Sequence, residues 1–314
     1  MNTSDDARHA SDQTGFTYRL ADVFAESSYQ GNGVAVFLNP PRLTTGQLQA
    51  VTVEVRQFES IYLWPTADDR SFVTRIFVVD QELRFAGHPI LGAAAVAHEQ
   101  LLAAEPAAVP PGEHATWTFR LGSREVIARS VADNAGGFDI DTDQGRPSFG
   151  EPMPPAYRER IAHALRLQPG DLDPTLPVEW ASTGLKYLIV PVSGSGLARA
   201  RITIPDFEEL LGEAGAELAY VLDPSALEGR NWVNDGSVED IATGSAAGPA
   251  AAYLVRHGRV APESTVALSQ GRFVGRPSAL RVEVHGPRDD ISRVVLHGHV
   301  CLTGTGTLDH PPVA

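Results

Sequence analysis

Two stretches of this chain repeat one pattern, and that repeat constrains the fold more than any other feature. Phe85-Ala86-Gly87-His88-Pro89-Ile90-Leu91-Gly92-Ala93-Ala94-Ala95 lies in the first half, and Ala242-Thr243-Gly244-Ser245-Ala246-Ala247-Gly248-Pro249-Ala250-Ala251-Ala252 in the second. Each has a glycine, a polar residue, a second glycine and an alanine-rich run. One match per half suggests a duplicated fold with a cleft between the copies. The length of 314 residues agrees, since single cores rarely grow that large. Gly145–Pro155 is rich in proline and nearly bisects the chain, so the boundary is placed there. The expected domains are 16–145, completed by a closing strand at 292–308, and 146–291, with 1–15 a polar, disordered tail.

Short runs rich in Val, Ile, Phe and Tyr predict strands at Phe16–Phe24, Val34–Leu38, Ile61–Trp64, Phe72–Val79, Thr116–Leu121, Arg124–Val131, Tyr187–Val192, Ala279–Val284 and Val294–Leu302. Leu48, Val51, Val55 and Phe58 step as one face of a helix, which Thr44 and Gln47 open as a capping box. Tyr157, Ile161 and Leu165 mark a second helix. Many strands with few helices predict an α+β fold with mixed or antiparallel sheets.

Composition excludes several classes. Net charge is −14, so nucleic acid and anionic membrane are not expected partners. No apolar run reaches the roughly 18 residues a membrane helix needs, and the first residues have no apolar signal core, so the cytoplasm is the expected location. Neither G-x-G-x-x-G after a strand nor a P-loop is present, and no H-E-x-x-H or C-x-x-C offers metal ligands. Cys301 is the one cysteine, which rules out a two-thiol acid/base mechanism.

Chemistry then falls to a few residues. Pro89 suits the first turn of a helix, with Gly87 and His88 just before it and Gly244 and Ser245 in the same place in the second half. Two helix N-termini facing one cleft make a site for a carboxylate or a developing enolate. The plainer alternative is close packing of small residues. Glu59 is read as ending the first helix, between Phe58 and the strand beginning at Ser60. A carboxylate among aromatics loses hydration and its pKa rises, which suits a general acid/base. The plainer alternative is a solvated glutamate. Asp240, just before the second glycine turn, reads as an orienting group or a cap. His88 reads as a supporting group or a turn hydrogen bond.

These segments together resemble the PhzF family of phenazine-biosynthesis enzymes. Gly31-Asn32-Gly33-Val34-Ala35-Val36 is similar to its G-N-x-x-A-V segment, and Glu59-Ser60 to its S-E-T-x-F signature. Phe85-Ala86-Gly87-His88-Pro89 matches F-A-G-H-P, and Glu239 to Ala246 is similar to E-D-P-A-T-G-S-A. Ser269-Gln270-Gly271 with Gly275-Arg276-Pro277-Ser278 resembles Q-G…G-R-P-S. The resemblance runs in the family's order over roughly residues 16–308. It implies a diaminopimelate epimerase-like fold of two similar domains with the active site between them, no cofactor, no metal and a homodimer. It places Glu59 on the catalytic glutamate and His88, Asp240 and Ser245 on supporting polar residues. It places Gly87 and Gly244 on anion-binding turns, with Asn32 and Gln270 as further substrate contacts. The implied reaction is a proton and double-bond shift in a small unsaturated amino or imino acid of specialised metabolism, such as an alkyl-proline unit. Isomerisation of trans-2,3-dihydro-3-hydroxyanthranilate is the alternative, and a catalytically silent anion-binding protein is the reading from another class. Three departures bear on the substrate: Phe58 where a small polar residue is usual, Ser60 for Thr, and Ile241 for Pro.

Overall fold

The computed structural model describes residues 15–313. The expected disordered tail therefore lies outside the described residues, apart from Gly15. The first half runs β1 (Phe16–Val23), β2 (Asn32–Leu38), α1 (Thr45–Val55), β3 (Glu59–Pro65), β4 (Ser71–Phe77), β5 (Glu82–Leu83), α2 (Gly87–Ala104), β6 (Ala115–Leu121), β7 (Arg124–Ala132) and β8 (Phe138–Gly145). The second runs β9 (Ser148–Phe149), α3 (Pro155–Ala164), β10 (Glu179–Ser182), β11 (Lys186–Pro191), α4 (Ser195–Arg199), α5 (Phe207–Glu213), β12 (Leu218–Asp223), β13 (Glu228–Trp232), β14 (Glu239–Asp240), α6 (Gly244–Arg256), β15 (Ser264–Gln270), β16 (Ser278–His285) and β17 (Arg293–Leu308).

The strand pairings repeat between the halves. From β1 through β2, β3, β4, β6 and β7 to β8, neighbours pair antiparallel, parallel, antiparallel, parallel, antiparallel, antiparallel. From β10 through β11, β12, β13, β15 and β16 to β17 the order is the same. A short strand, β5 or β14, hangs on the fourth member each time, and the alanine-rich helix follows it. The repeat read in the glycine segments is thus a repeat of whole topology.

β17 ties the halves together. It pairs with β8 from Val294 to Val300 and with β1 from Val300 to Leu308. This closes the first set of strands into a ring around α2. Reciprocally, β9 follows directly on β8 and pairs with β10.

The central helices explain the rings. α2 has no polar side chain between His88 and His98, so it can be stable only if covered all round. Every residue from His88 to His98 is buried. Its small side chains let the strands close in: a Cβ on Gly92 would lie 2.6 Å from Val34 Cγ1, and one on Gly298 of β17 would lie 2.7 Å from Leu91 Cδ2. α6 is buried in the same way from Ala246 to Val255. Outside the first ring, α1 covers Phe37, Tyr62 and Phe77 with Leu48 and Val51, so β2 and β3 are apolar on both faces. Its N-terminus carries the expected capping box, with Gln47 N–H donating to Thr44 Oγ1 at 3.3 Å and Thr44 N–H to Gln47 Oε1 at 2.9 Å.

Several strands went unrecognised in the sequence. β13 reads Glu-Gly-Arg-Asn-Trp, a loop-like composition, yet all five residues are buried. Arg230 makes this possible by pairing with Glu239 and stacking over Trp232 and Phe273. The first helix is also shorter than its apolar spacing predicts. Arg56 adopts the left-handed conformation, φ 56°, and its N–H closes the helix on Thr52 O, so Phe58 lies beyond it.

The close approach at Gly92 is testable. Gly92→Val would gain helix propensity of well under 1 kcal/mol. It would overpack against a stiff β-branched neighbour at a cost of about 1–3 kcal/mol. Urea unfolding should therefore show a lower midpoint at unchanged slope. A wild-type midpoint would show that α2 does not touch β2 this tightly.

Candidate active site

The ends of α2 and α6 meet where the two rings adjoin. Gly87 and His88 sit inside the first turn of α2, with Ala86 as N-cap; Gly244 and Ser245 sit inside the first turn of α6, with Thr243 as N-cap. They do not precede their helices, as the proline position had implied; Pro89 is the third helical residue, where its missing N–H still costs no bond. A Cβ on Gly87 would lie 3.7 Å from Ser245 N. The first N–H groups of a helix have no partner within it, so two sets of free donors converge here.

Glu59 opens β3 rather than ending a helix, because the turn at Arg56 has already stopped α1. The parallel register Val34↔Glu59 puts it beside the start of β2, where Asn32 lies. Glu59 is 6% exposed and His88 5%, and Glu59 Oε2 lies 3.9 Å from His88 Nδ1. The second half contributes Asp240 from β14. Asn32 Nδ2 bridges the halves, donating to Asp240 Oδ1 at 2.9 Å and Ala242 O at 3.2 Å, with His88 Nδ1 at 3.5 Å. Thr243 Oγ1 donates to Asp240 Oδ2 at 2.6 Å. Glu59, His88, Asn32 and Asp240 thus form one cluster across the junction.

Gln270 belongs to the frame of this cluster. Its Nε2 donates to Asp240 O and Thr243 Oγ1, both at 2.9 Å, and its Oε1 accepts from Thr243 N–H and Tyr220 O–H. Every polar atom of Gln270 is engaged within the protein. Ser245 stands slightly apart, with its Oγ 2.7 Å from Tyr187 OH. A cleft between the halves reaches the two turns and is lined by Gly87, Ser245, Gln144, Thr183, Phe85 and Arg124. Glu59, His88 and Asp240 do not line it.

Burial sets the charges. It is the larger cause raising the Glu59 carboxyl well above its ordinary 4.5, and neighbouring Asp240 adds to the rise. Burial lowers His88 to about 3, so its imidazole is neutral at pH 7. The His88–Glu59 contact is therefore not an ion pair. Burial also raises Asp240, but hydrogen bonds from Thr243, Asn32 and the Ala242 and Ile241 backbone oppose it. Both carboxyls are raised, but only Asp240 has donors that favour its ionised form, so of the two Glu59 is the one pushed further toward its protonated form. Glu59 Oε2, His88 Nε2 and Asn32 Oδ1 are buried without partners among the described residues. Each such group costs about 1–3 kcal/mol, so their gathering at one place marks polar groups waiting for a ligand. Among the described residues no three His, Cys, Asp or Glu side chains converge as metal ligands would.

A family model for phenazine biosynthesis-like proteins, PhzC-PhzF, matches residues 21–306. The chain belongs to this family. It is 29% identical to trans-2,3-dihydro-3-hydroxyanthranilate isomerase from Pseudomonas fluorescens, over 93% of this chain and 98% of that one. A predicted epimerase from Pseudomonas aeruginosa superposes with a TM-score of 0.84 at 43% identity, over 93% of this chain and 99% of that one. A PhzF-family protein from Bacillus anthracis shares the fold at 21% identity and a TM-score of 0.78, over 94% and 99%. The fold is the α+β epimerase-like one, and this family member is an enzyme of the isomerase class. No helix among the described residues is long and apolar enough to cross a membrane.

Sequence reasoning missed Tyr187 and Tyr220 in the candidate site. Tyr187 sits in a β-like apolar run and reads as core, and nothing in its spacing distinguishes it. Thr243 was visible as a neighbour of the glycine turn but not as the donor to Asp240.

The neutral, buried His88 has a consequence for stability. Between about 3 and the ordinary 6.5 the unfolded chain binds a proton there that the folded chain does not. Stability is therefore lost as pH falls through that window, by at most about 1.4 kcal/mol per unit. Glu59 acts oppositely, since its raised pKa favours the folded state below 4.5 and less so as pH rises. Urea unfolding from about pH 6.5 to 4.5 should show a shallower acid loss in His88→Asn than in wild type. Equal slopes would mean that His88 is protonated in the folded state.

Proposed function

We propose that Glu59 carries a proton between two carbons of a small unsaturated amino or imino acid bearing a carboxylate. The observation that supports it most is the raised Glu59 carboxyl among unpartnered buried polar groups. In its ionised form Glu59 takes a proton from a C–H acidified by the adjacent conjugated system. The C–H electrons form a new double bond, and the electrons of the old one take the proton back from Glu59 at the far carbon. Base and charge are restored, so the net reaction is an isomerisation. Free N–H groups of the α2 and α6 first turns suit the substrate carboxylate and the enolate-like charge formed on proton removal. His88 and Asp240 support the transfer from opposite halves. Asn32 sets Asp240, and Gln270 sets the Thr243 turn. Access to Glu59 requires the halves to part near Gly87 and Ser245.

The named activity of the Pseudomonas fluorescens relative makes trans-2,3-dihydro-3-hydroxyanthranilate the first substrate to assay. The ring of Phe58, centred 6.4 Å from that of His88, favours a second reading with a different unsaturated amino acid, because it adds bulk beside the base. Glu59→Gln keeps the shape and removes the basicity. Its turnover should fall on the order of 10²–10⁴-fold. Wild-type turnover in Glu59→Gln would remove Glu59 from the chemistry.

A further inference from the structure

Tyr187 lies on β11 and is 1% exposed. Among the described residues its phenol oxygen has one hydrogen-bond partner, Ser245 Oγ at 2.7 Å. Distance alone leaves the donor open, but the inventory of hydrogens settles it. If Ser245 donated, the phenol hydrogen would be buried without an acceptor, at about 1–3 kcal/mol. If Tyr187 donates, its one hydrogen is satisfied. The Ser245 hydrogen is then free, and Ser245 is partly exposed on the wall of the cleft. The phenol also cannot ionise readily, since burial foremost, and then Asp240 and Glu59 among nearby acids, raise its pKa.

We propose that Tyr187 is a positioning residue that donates to Ser245 Oγ and so turns the serine hydroxyl hydrogen into the cleft. Ser245 then presents its hydroxyl hydrogen beside the free N–H groups of α6, and the ligand atom that meets that hydrogen is an acceptor such as a carboxylate or an enolate oxygen. Nothing in the α6 turn itself fixes this direction, because a serine hydroxyl rotates to suit its neighbours. The phenol supplies the direction from outside the turn. This assignment rests on the reading of Ser245 as a substrate contact.

Neutron diffraction from crystals of the deuterated wild-type protein tests the direction without any substrate. The expected result is the Tyr187 deuteron on the line to Ser245 Oγ, with the Ser245 deuteron pointing away. A Ser245 deuteron on that line overturns the proposal. A double-mutant cycle of Tyr187→Phe and Ser245→Ala, assayed with trans-2,3-dihydro-3-hydroxyanthranilate, tests the consequence. Tyr187→Phe alone should lower kcat by about 2- to 10-fold, the value of one hydrogen bond. In the Ser245→Ala background it should lower kcat no further. A structural loss would act alike in both backgrounds and would overturn the proposal, as would wild-type kcat in Tyr187→Phe alone. If Ser245→Ala turned over like wild type, the reading of Ser245 would fail instead. If the wild type did not turn over this compound, the substrate choice would fail and the neutron result would decide the proposal.

Discussion

Everything in this protein is arranged around the end-to-end approach of two buried helices. The first turns of α2 and α6 lie close together: a Cβ on Gly87 would sit at ordinary van der Waals distance, 3.7 Å, from Ser245 N. A Cβ on Gly244 would press to 2.9 Å from Phe24 and 3.0 Å from Leu296. The rings of strands exist to cover these helices, and β17 holds the rings at the distance where the helix ends meet. Burying two helix N-termini against each other is unfavourable by itself, since both present partial positive charge and free donors. An anionic ligand between them would relieve both costs, which is the role proposed above for the two turns.

The same dryness explains the side chains. Glu59 and His88 lose hydration together, which drives each toward its neutral form, the carboxyl upward and the imidazole downward. Asp240 is raised as well, with burial the largest cause, but the donors of Thr243, Asn32 and the turn backbone oppose that rise. Asp240 with its donors and Glu59 without any make an asymmetric pair, and the asymmetry comes from hydrogen bonding rather than from distance. Gln270 and Tyr220 extend that support outward, so the geometry of Asp240 depends on residues that have no free atom for a ligand.

Much of this was legible in the sequence. The alanine-rich helices announce themselves because small apolar residues all round a helix leave it no choice but burial, and their duplication announces the topology. The strongly apolar strands are legible for the same reason. Glu59 was found as a residue but misplaced locally. Phe58 happens to continue the helical spacing of Leu48, Val51 and Val55, while the left-handed turn at Arg56 carries no glycine to signal it. β13 was illegible because its buried Arg230 is neutralised by Glu239, which a linear reading cannot pair with it. Tyr187 was illegible as well: a tyrosine in a strand reads as packing, and its polar end acquires meaning only when Ser245 is brought to it from a distant helix.

The central claim is that burial holds the Glu59 carboxyl protonated well above the ordinary range, so that it can accept and return a proton near neutrality. Difference infrared spectra of wild type minus Glu59→Gln, recorded across a pH series, read that one carboxyl directly and need no substrate. The account predicts a protonated carboxyl band that persists well above pH 4.5 before giving way to the carboxylate. A carboxylate already fully formed at pH 4.5 and above would contradict it.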